Sequence, residues 1–401
     1  MTRPADRYRH ARAATAVLFA VNGALFAGLL PRYPELKDDL GMTNTVLGLV
    51  VAAFPVGALL AGPTAAALIR RNGPGRVAVV TSVALSVLLL GAALAPSPGW
   101  LAAALLTAGA ADAVTDVAQN SHGLAVQRHY GRSIINQLHA TWSVGAVLGG
   151  LLAAGAMAVG MPRAVQLCIA AVAFGALSLA ASRFLLSRAE SLDSPADGAA
   201  AAGVRPGRVV VVALAALAAL AIAGAVIEDA GSSWAAVYLN DDLGAPVQLA
   251  AFGYIALAGC QFLGRSAGDW AVDRFGEAVV VRAGGLLAAA GMGAALAFPG
   301  VVGTIAGFGM AGLGVATVAP AAFHGADNLP GLRPGTGLTV VTWLMRIGFL
   351  GSPPLVGVIA DAAGLRVALL VVPVAGVVVA VCATVLGTTR YNALVPGRTR
   401  G

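Results

Sequence analysis

Twelve apolar runs, each long enough to cross a bilayer, follow one another along this chain. Their cores lie at residues 13–31, 43–69, 77–95, 99–126, 134–159, 163–186, 209–239, 247–272, 278–298, 300–322, 336–360 and 366–388. A spanning helix needs about 20 apolar residues. In hydrocarbon the backbone must satisfy its own hydrogen bonds, which leaves helices or closed barrels. Runs of this length without alternation predict helices. The expected fold class is therefore an all-α membrane protein with 12 transmembrane helices. Composition agrees: the chain is 58% hydrophobic and 11% charged, against about 25% charged in soluble domains.

The basic residues set an orientation. Arg32, Lys37, Arg163 and Arg366 fall in loops on one side, Arg265 and Arg346 lie within runs, and the rest fall on the other side. By the positive-inside rule both ends of the chain are expected in the cytoplasm, at the inner membrane. The arginine-rich start carries no cleavage site, so the first helix is expected to be retained. The net charge of +7 comes from dispersed arginines, and no nucleic-acid face is expected. Cys168, Cys260 and Cys382 stand alone in apolar runs and are expected to be buried thiols. No metal-ligand spacing occurs, so no metal and no cofactor are expected.

Ser187 to Arg208, rich in Ala, Gly, Ser, Pro and charge, is the one evident linker and is expected to be flexible. It predicts an N-terminal six-helix bundle at 1–186, a linker at 187–208 and a C-terminal six-helix bundle at 209–401. An internal repeat supports this division. "DDLG" at Asp38–Gly41 recurs at Asp241–Gly244, an offset of 203 residues. The same offset places Arg70–Gly73 on Asp273–Gly276, Gly145 on Gly348 and Arg163 on Arg366. Two parallel halves related by an axis along the membrane normal enclose a midplane site in secondary transporters.

The plan of six plus six helices, the long middle loop and "GDWAVDRFGEA" (Gly268–Ala278) resemble the major facilitator superfamily. The second loop keeps Asp273, Arg274 and Gly276, with Asp269 where the family has glycine. The first copy is more degenerate, with Arg70 for the aspartate but Arg71 and Gly73 retained. A narrower resemblance is to sugar-permease-like, largely uncharacterised bacterial members. It rests on Asp116/Asn120, on His139–Ser143, on Trp234–Gly244 and on Gly351–Asp361. The resemblance implies two pseudo-symmetric six-helix bundles and secondary active transport by alternating access. It also implies a cytoplasmic latch of Arg265, Asp269, Asp273, Arg274 and Arg71 that holds the outward-facing state.

Ionisable groups inside a membrane mark function by default. Asp112, Asp116 and Asn120 are spaced i, i+4, i+8 in the fourth span and predict one polar stripe facing the interior. Two nearby carboxylates in low dielectric do not readily both ionise, so Asp116, with Asp112 as partner, is expected to load and release protons. A structural ion pair is the alternative. In the repeat these positions fall on Val315 and Ala319, so the second half must supply charge elsewhere. Glu228 and Asp229 in span seven are further proton-coupling candidates. They point about 100° apart, so one faces the cavity; the resemblance favours Glu228. Arg346 is expected to meet a carboxylate or an anionic substrate. Asn22, Asn120, His139, Trp142 and Gln261 are the remaining substrate-binding candidates, with packing roles as the alternative for His139 and Trp142. His122 lies outside this chemistry. Ser352–Pro354 is expected to kink or break span eleven.

No catalytic residue is expected and the chain is not expected to be an enzyme. An ATP-driven pump is disfavoured because no phosphate-binding glycine loop with Lys-Ser/Thr exists. The expected partners are a small-molecule substrate, protons and the lipid bilayer, with the protein acting as a monomer. Symport of a small polar solute such as a sugar leads, and proton-coupled export of a drug or metabolite is the alternative.

Overall fold

The computed structural model describes residues 4–130, 134–192, 207–329, 332 and 335–387. Within them lie twelve helices long and apolar enough to cross a membrane. Spans 1–6 are Asp6–Asp39, Asn44–Asn72, Pro74–Ala93, Pro98–Tyr130, Gln137–Ala158 and Arg163–Ser182. Spans 7–12 are Arg208–Asp242, Val247–Phe275, Glu277–Ala297, Val301–Asp327, Thr336–Ala363 and Leu365–Leu386. No strand occurs among the described residues. The end of the bundle where span 1 starts and span 12 finishes is called the terminus end; the opposite end is the distal end.

Helix ends follow local chemistry. The Thr43 hydroxyl accepts the Val46 N–H and caps span 2. Spans 2 and 8 stop at Gly73 and Gly276, with φ of 82° and 85°, a conformation that needs glycine. The next helix begins at once in both cases, as it does after Gly364 between spans 11 and 12.

The 203-residue repeat is visible atom by atom. The Arg163 side chain donates to the Ala93 carbonyl at 2.9 Å, and that of Arg366 donates to the Leu296 carbonyl at 2.7 Å. A Cβ on Gly109 would strike the Phe54 carbonyl, and one on Gly312 would strike the Leu257 carbonyl. Gly145 presses on span 1 at Ala20, and its counterpart Gly348 on span 7 at Ile222 and Ala225. In the first half spans 1 and 5, 2 and 4, 3 and 4, and 3 and 6 pack together. The second half repeats this as 7 and 11, 8 and 10, 9 and 10, and 9 and 12. Small residues at these crossings let backbones approach closely. The halves meet along two symmetric seams, span 2 with span 11 and span 5 with span 8.

Four expectations change. Span 11 is one helix through Pro353 and Pro354 and is not broken there. Instead span 10 is interrupted at Ala316–Thr317, between helices Val301–Val315 and Val318–Asp327. Pro320 sits in the first turn of the second piece, where its missing N–H costs no helical bond. Cys168 is exposed on the outside of span 6 rather than buried, because an apolar run does not distinguish protein core from lipid. The linker begins as a docked helix, Arg188–Leu192. Arg188 donates to the Arg70 carbonyl at 2.7 Å, and Arg7 pairs with Glu190 at 2.7 Å. The remaining linker, residues 193–206, lies outside the described residues.

Candidate functional site

Span 4 carries the two carboxylates, and the structure sends them to different places. Asp112 turns into its own half. Asn22 of span 1 donates its amide to Asp112 Oδ1 at 2.7 Å, and Trp142 Nε1–H of span 5 donates to Asn22 Oδ1 at 2.8 Å. Asp116, one turn further, is exposed on the interior wall between the halves. Asn120 donates to Asp116 Oδ1 at 2.9 Å, and His139 Nε2 of span 5 lies 3.1 Å from Asn120 Oδ1. The sequence stripe thus becomes two carboxylate–amide–ring chains, one directed inward and one on the cavity wall. Thr115 anchors the helix between them by donating to Thr81 of span 3 at 2.7 Å.

The second half supplies the facing wall. On span 8, Gln261 donates to Glu228 Oε2 at 2.8 Å, and Arg265 lies 3.8 Å from the same oxygen. Gln261 and Arg265 are one turn apart and grip a single carboxylate from span 7. Asp229 points elsewhere: Ser233 donates to it at 3.2 Å, and Tyr33 of span 1 is its electrostatic neighbour. Arg346 of span 11 is half-buried and makes no ion pair among the described residues. Its guanidinium lies within electrostatic reach of Asp116, and Arg265 within reach of His139. The site therefore presents acceptors and donors from both halves across one cavity: Asp116, Asn120 and His139 against Glu228, Gln261, Arg265 and Arg346.

The two ends of this cavity differ. At the distal end, Lys37 pairs with Asp241 at 2.5 Å. Asp361 of span 11 accepts the backbone N–H groups of Asn44 and Thr45 at 2.9 and 2.8 Å. Gly48 abuts the Pro353 carbonyl, and Gly357 the Asn44 carbonyl, so closely that neither site has room for a Cβ. The last turns of span 1, with Leu30, Tyr33 and Leu36 buried, lean onto spans 7 and 8. Arg32, Glu35, Arg163, Asp39 and Gln166 knit those turns to span 6. Among the described residues, every side-chain hydrogen bond or ion pair between the halves lies at this distal end. At the terminus end the side chains of Arg71, Asp269, Asp273 and Arg274 are exposed and make no hydrogen bond or ion pair among the described residues. Arg265, expected in the latch, lies instead beside Glu228. Among the described residues, side chains tie the halves at the distal end and not at the terminus end.

Sequence reasoning missed Lys37, Asp241 and Asp361 as a set. The signals were present: Asp241 stands in the repeated "DDLG", and Asp361 ends a span at the same end as Lys37. His122 is fully buried among spans 3, 4 and 6, against Gly75, away from the cavity.

Two six-helix halves with polar and charged side chains between them define a polytopic membrane protein. Residues 15–328 match the family model described as Major Facilitator Superfamily. The chain is 30% identical over 368 residues to the uncharacterized transporter y4wD of Sinorhizobium fredii, covering 92% of this chain and 96% of that one. In fold it is similar to the nucleoside transporter NupG, with a TM-score of 0.71 at 13% identity over 94% of this chain and 99% of that one. It is also similar to the fucose:proton symporter FucP of E. coli, at 0.59 and 20%, covering 95% and 99%. The chain belongs to the Major Facilitator Superfamily and is a transporter of that superfamily.

Proposed function

We propose that this protein moves a small polar solute by alternating access, coupled to protons, as a symporter. The carrying observation is the asymmetry of the cavity. Asp116 and Arg346 lie within electrostatic reach of each other from opposite halves, and side chains tie those halves only at the distal end among the described residues. A solute bound between them contacts both halves, so its binding favours the state in which they close around it. Asp116 is the proton carrier in this reading, with Asn120 and His139 orienting it and Glu228 and Arg265 as the counterpart pair. A carboxylate on the wall of a midplane cavity meets each side in turn as access alternates.

The polar groups fit an uncharged, hydroxyl-rich solute such as a sugar. Asp116 and Glu228 offer acceptors, Arg346, Gln261 and Asn120 offer donors, and Trp142 offers a ring face. Two proteins of similar fold carry, by their names, a nucleoside and fucose with protons, solutes of this kind. Export of a drug or metabolite against protons is the alternative direction. The basic loops put both termini in the cytoplasm, at the inner membrane. The latch at the terminus end is assigned to Arg71, Asp269, Asp273 and Arg274. It forms when that end closes. The protein acts as a monomer and not as an enzyme.

The test is a stability screen of the purified protein against sugars, polyols and nucleosides, followed by flux of each hit into liposomes. A hit transported by the parent and lost in Arg346→Ala supports the site. Equal transport by Arg346→Ala contradicts it.

A further inference from the structure

Two short hydrogen bonds tie the half-buried Asp112 carboxylate to a half-buried ring of span 5. Their polarity is fixed by chemistry rather than by choice of rotamer. An indole N–H only donates, so the Asn22 atom facing Trp142 must be its carbonyl oxygen. The Asn22 amide nitrogen is then turned to Asp112, at 2.7 Å. Asn22 is buried, and this orientation commits one donor and one acceptor of its amide group. Next to it Gly23 lies against the Trp142 carbonyl with no room for a Cβ, which holds spans 1 and 5 close enough for the chain to form.

We infer that Asp112 is a positioning residue: its charge state sets the placement of the Trp142 ring through Asn22. Ionised Asp112 offers only acceptors and forms a charge-assisted bond to the Asn22 amide, about twice as strong as a neutral one. That bond pins Asn22, which in turn pins the indole. Protonation replaces it with a neutral bond and loosens both links. By linkage, any solute that displaces Trp142 changes proton occupancy at Asp112, and the converse holds equally. Asp112 thus acts through Trp142, while Asp116 meets the cavity directly. This deepens the proposed symport reading, since it relies on Trp142 as a wall of the solute site. The charged and titratable neighbours to be separated from Asp112 are Asp116 on its own helix and His139, one turn before Trp142. Arg265 and Arg346 act on those two from the other half.

The experiment is fluorine NMR of the full-length protein labelled with 5-fluorotryptophan in nanodiscs, titrated across the acidic and neutral range with no solute added. The chain has five tryptophans, and the Trp142 resonance is assigned by its loss in Trp142→Phe. The expected result is a Trp142 resonance that titrates in the parent and in His139→Asn and Asp116→Asn. It should stay flat in Asp112→Asn and in Asn22→Ala, and titrate again in Asp112→Glu. Two variants break the chain at different points, so misfolding of one leaves the other to decide. A Trp142 resonance that is flat in the parent, or that titrates unchanged in Asp112→Asn or Asn22→Ala, overturns the inference. No transport is measured, so failure of the symport reading would show separately, as absent flux with an intact Trp142 titration.

Discussion

The carboxylate of Asp361 in span 11 accepts the backbone N–H of Thr45 in span 2 at 2.8 Å. A residue of one half thereby caps a helix of the other, alongside the N–H of Asn44. The first N–H groups of a helix have no partner of their own, and a capping oxygen contributes about 1 kcal/mol. The bond exists only while the distal end is closed. Asp361→Ala should therefore raise the fraction open at that end about five-fold, the factor that corresponds to about 1 kcal/mol. Distances between spin labels at Asp38 and Asp242 read this directly. An unchanged distance distribution would show that the cap does not hold the seal.

Equivalent glycines in the two halves should respond alike. Gly109 and Gly312 each lie against a carbonyl of the neighbouring helix where a Cβ has no room. Forced overpacking costs about 1–3 kcal/mol, so Gly109→Ala and Gly312→Ala should each lower the thermal midpoint in detergent. Gly155 lies in a helix with open space around it. There, relief of backbone entropy favours Gly155→Ala by about 0.5–1 kcal/mol. A midpoint insensitive to Gly312→Ala would show that spans 8 and 10 do not cross as described.

The docked start of the linker should release in acid. The Ser187 hydroxyl, with its backbone N–H and the Arg7 guanidinium, holds the Glu190 carboxyl below the usual carboxylate range. A folded value below the unfolded one stabilises docking at all pH above the ordinary carboxylate value of about 4.3. That contribution is lost as pH falls through the depressed value. A spin label at Ala189 should stay ordered from neutral into mildly acidic solution and become mobile only below that. In Glu190→Gln the label should already be more mobile at neutral pH. Mobility that ignores both pH and the substitution would remove Glu190 from the docking.

Much of this architecture was legible in the sequence because the bilayer imposes it. Twelve apolar runs read as twelve spans, and the offset aligned Arg163 with Arg366, which make equivalent contacts to Ala93 and Leu296. What periodicity could not reveal is which neighbour stands beside each face. Asp112 and Asp116 are one turn apart, yet the first meets Asn22 of span 1 and the second faces the cavity. Four residues advance the helix by about 40° beyond a full turn, enough to move a side chain from one neighbour to another. Cys168 shows the same limit, since lipid and protein core demand the same side chains. The interruption of span 10 was signalled by Pro320. The partners of Lys37 and Asp361 depend on how the halves close, which is a property of the assembled state.

Proton coupling through Asp116 is the claim on which the proposed function turns. Liposomes containing the parent or Asp116→Asn, with a pH-sensitive dye inside and a pH gradient imposed, are given a solute from the stability screen. The account predicts solute-dependent proton entry and uphill accumulation in the parent. Asp116→Asn should lose both while still exchanging labelled for unlabelled solute at equilibrium. Solute accumulation in Asp116→Asn equal to that of the parent, or parent flux with no proton movement, would contradict it.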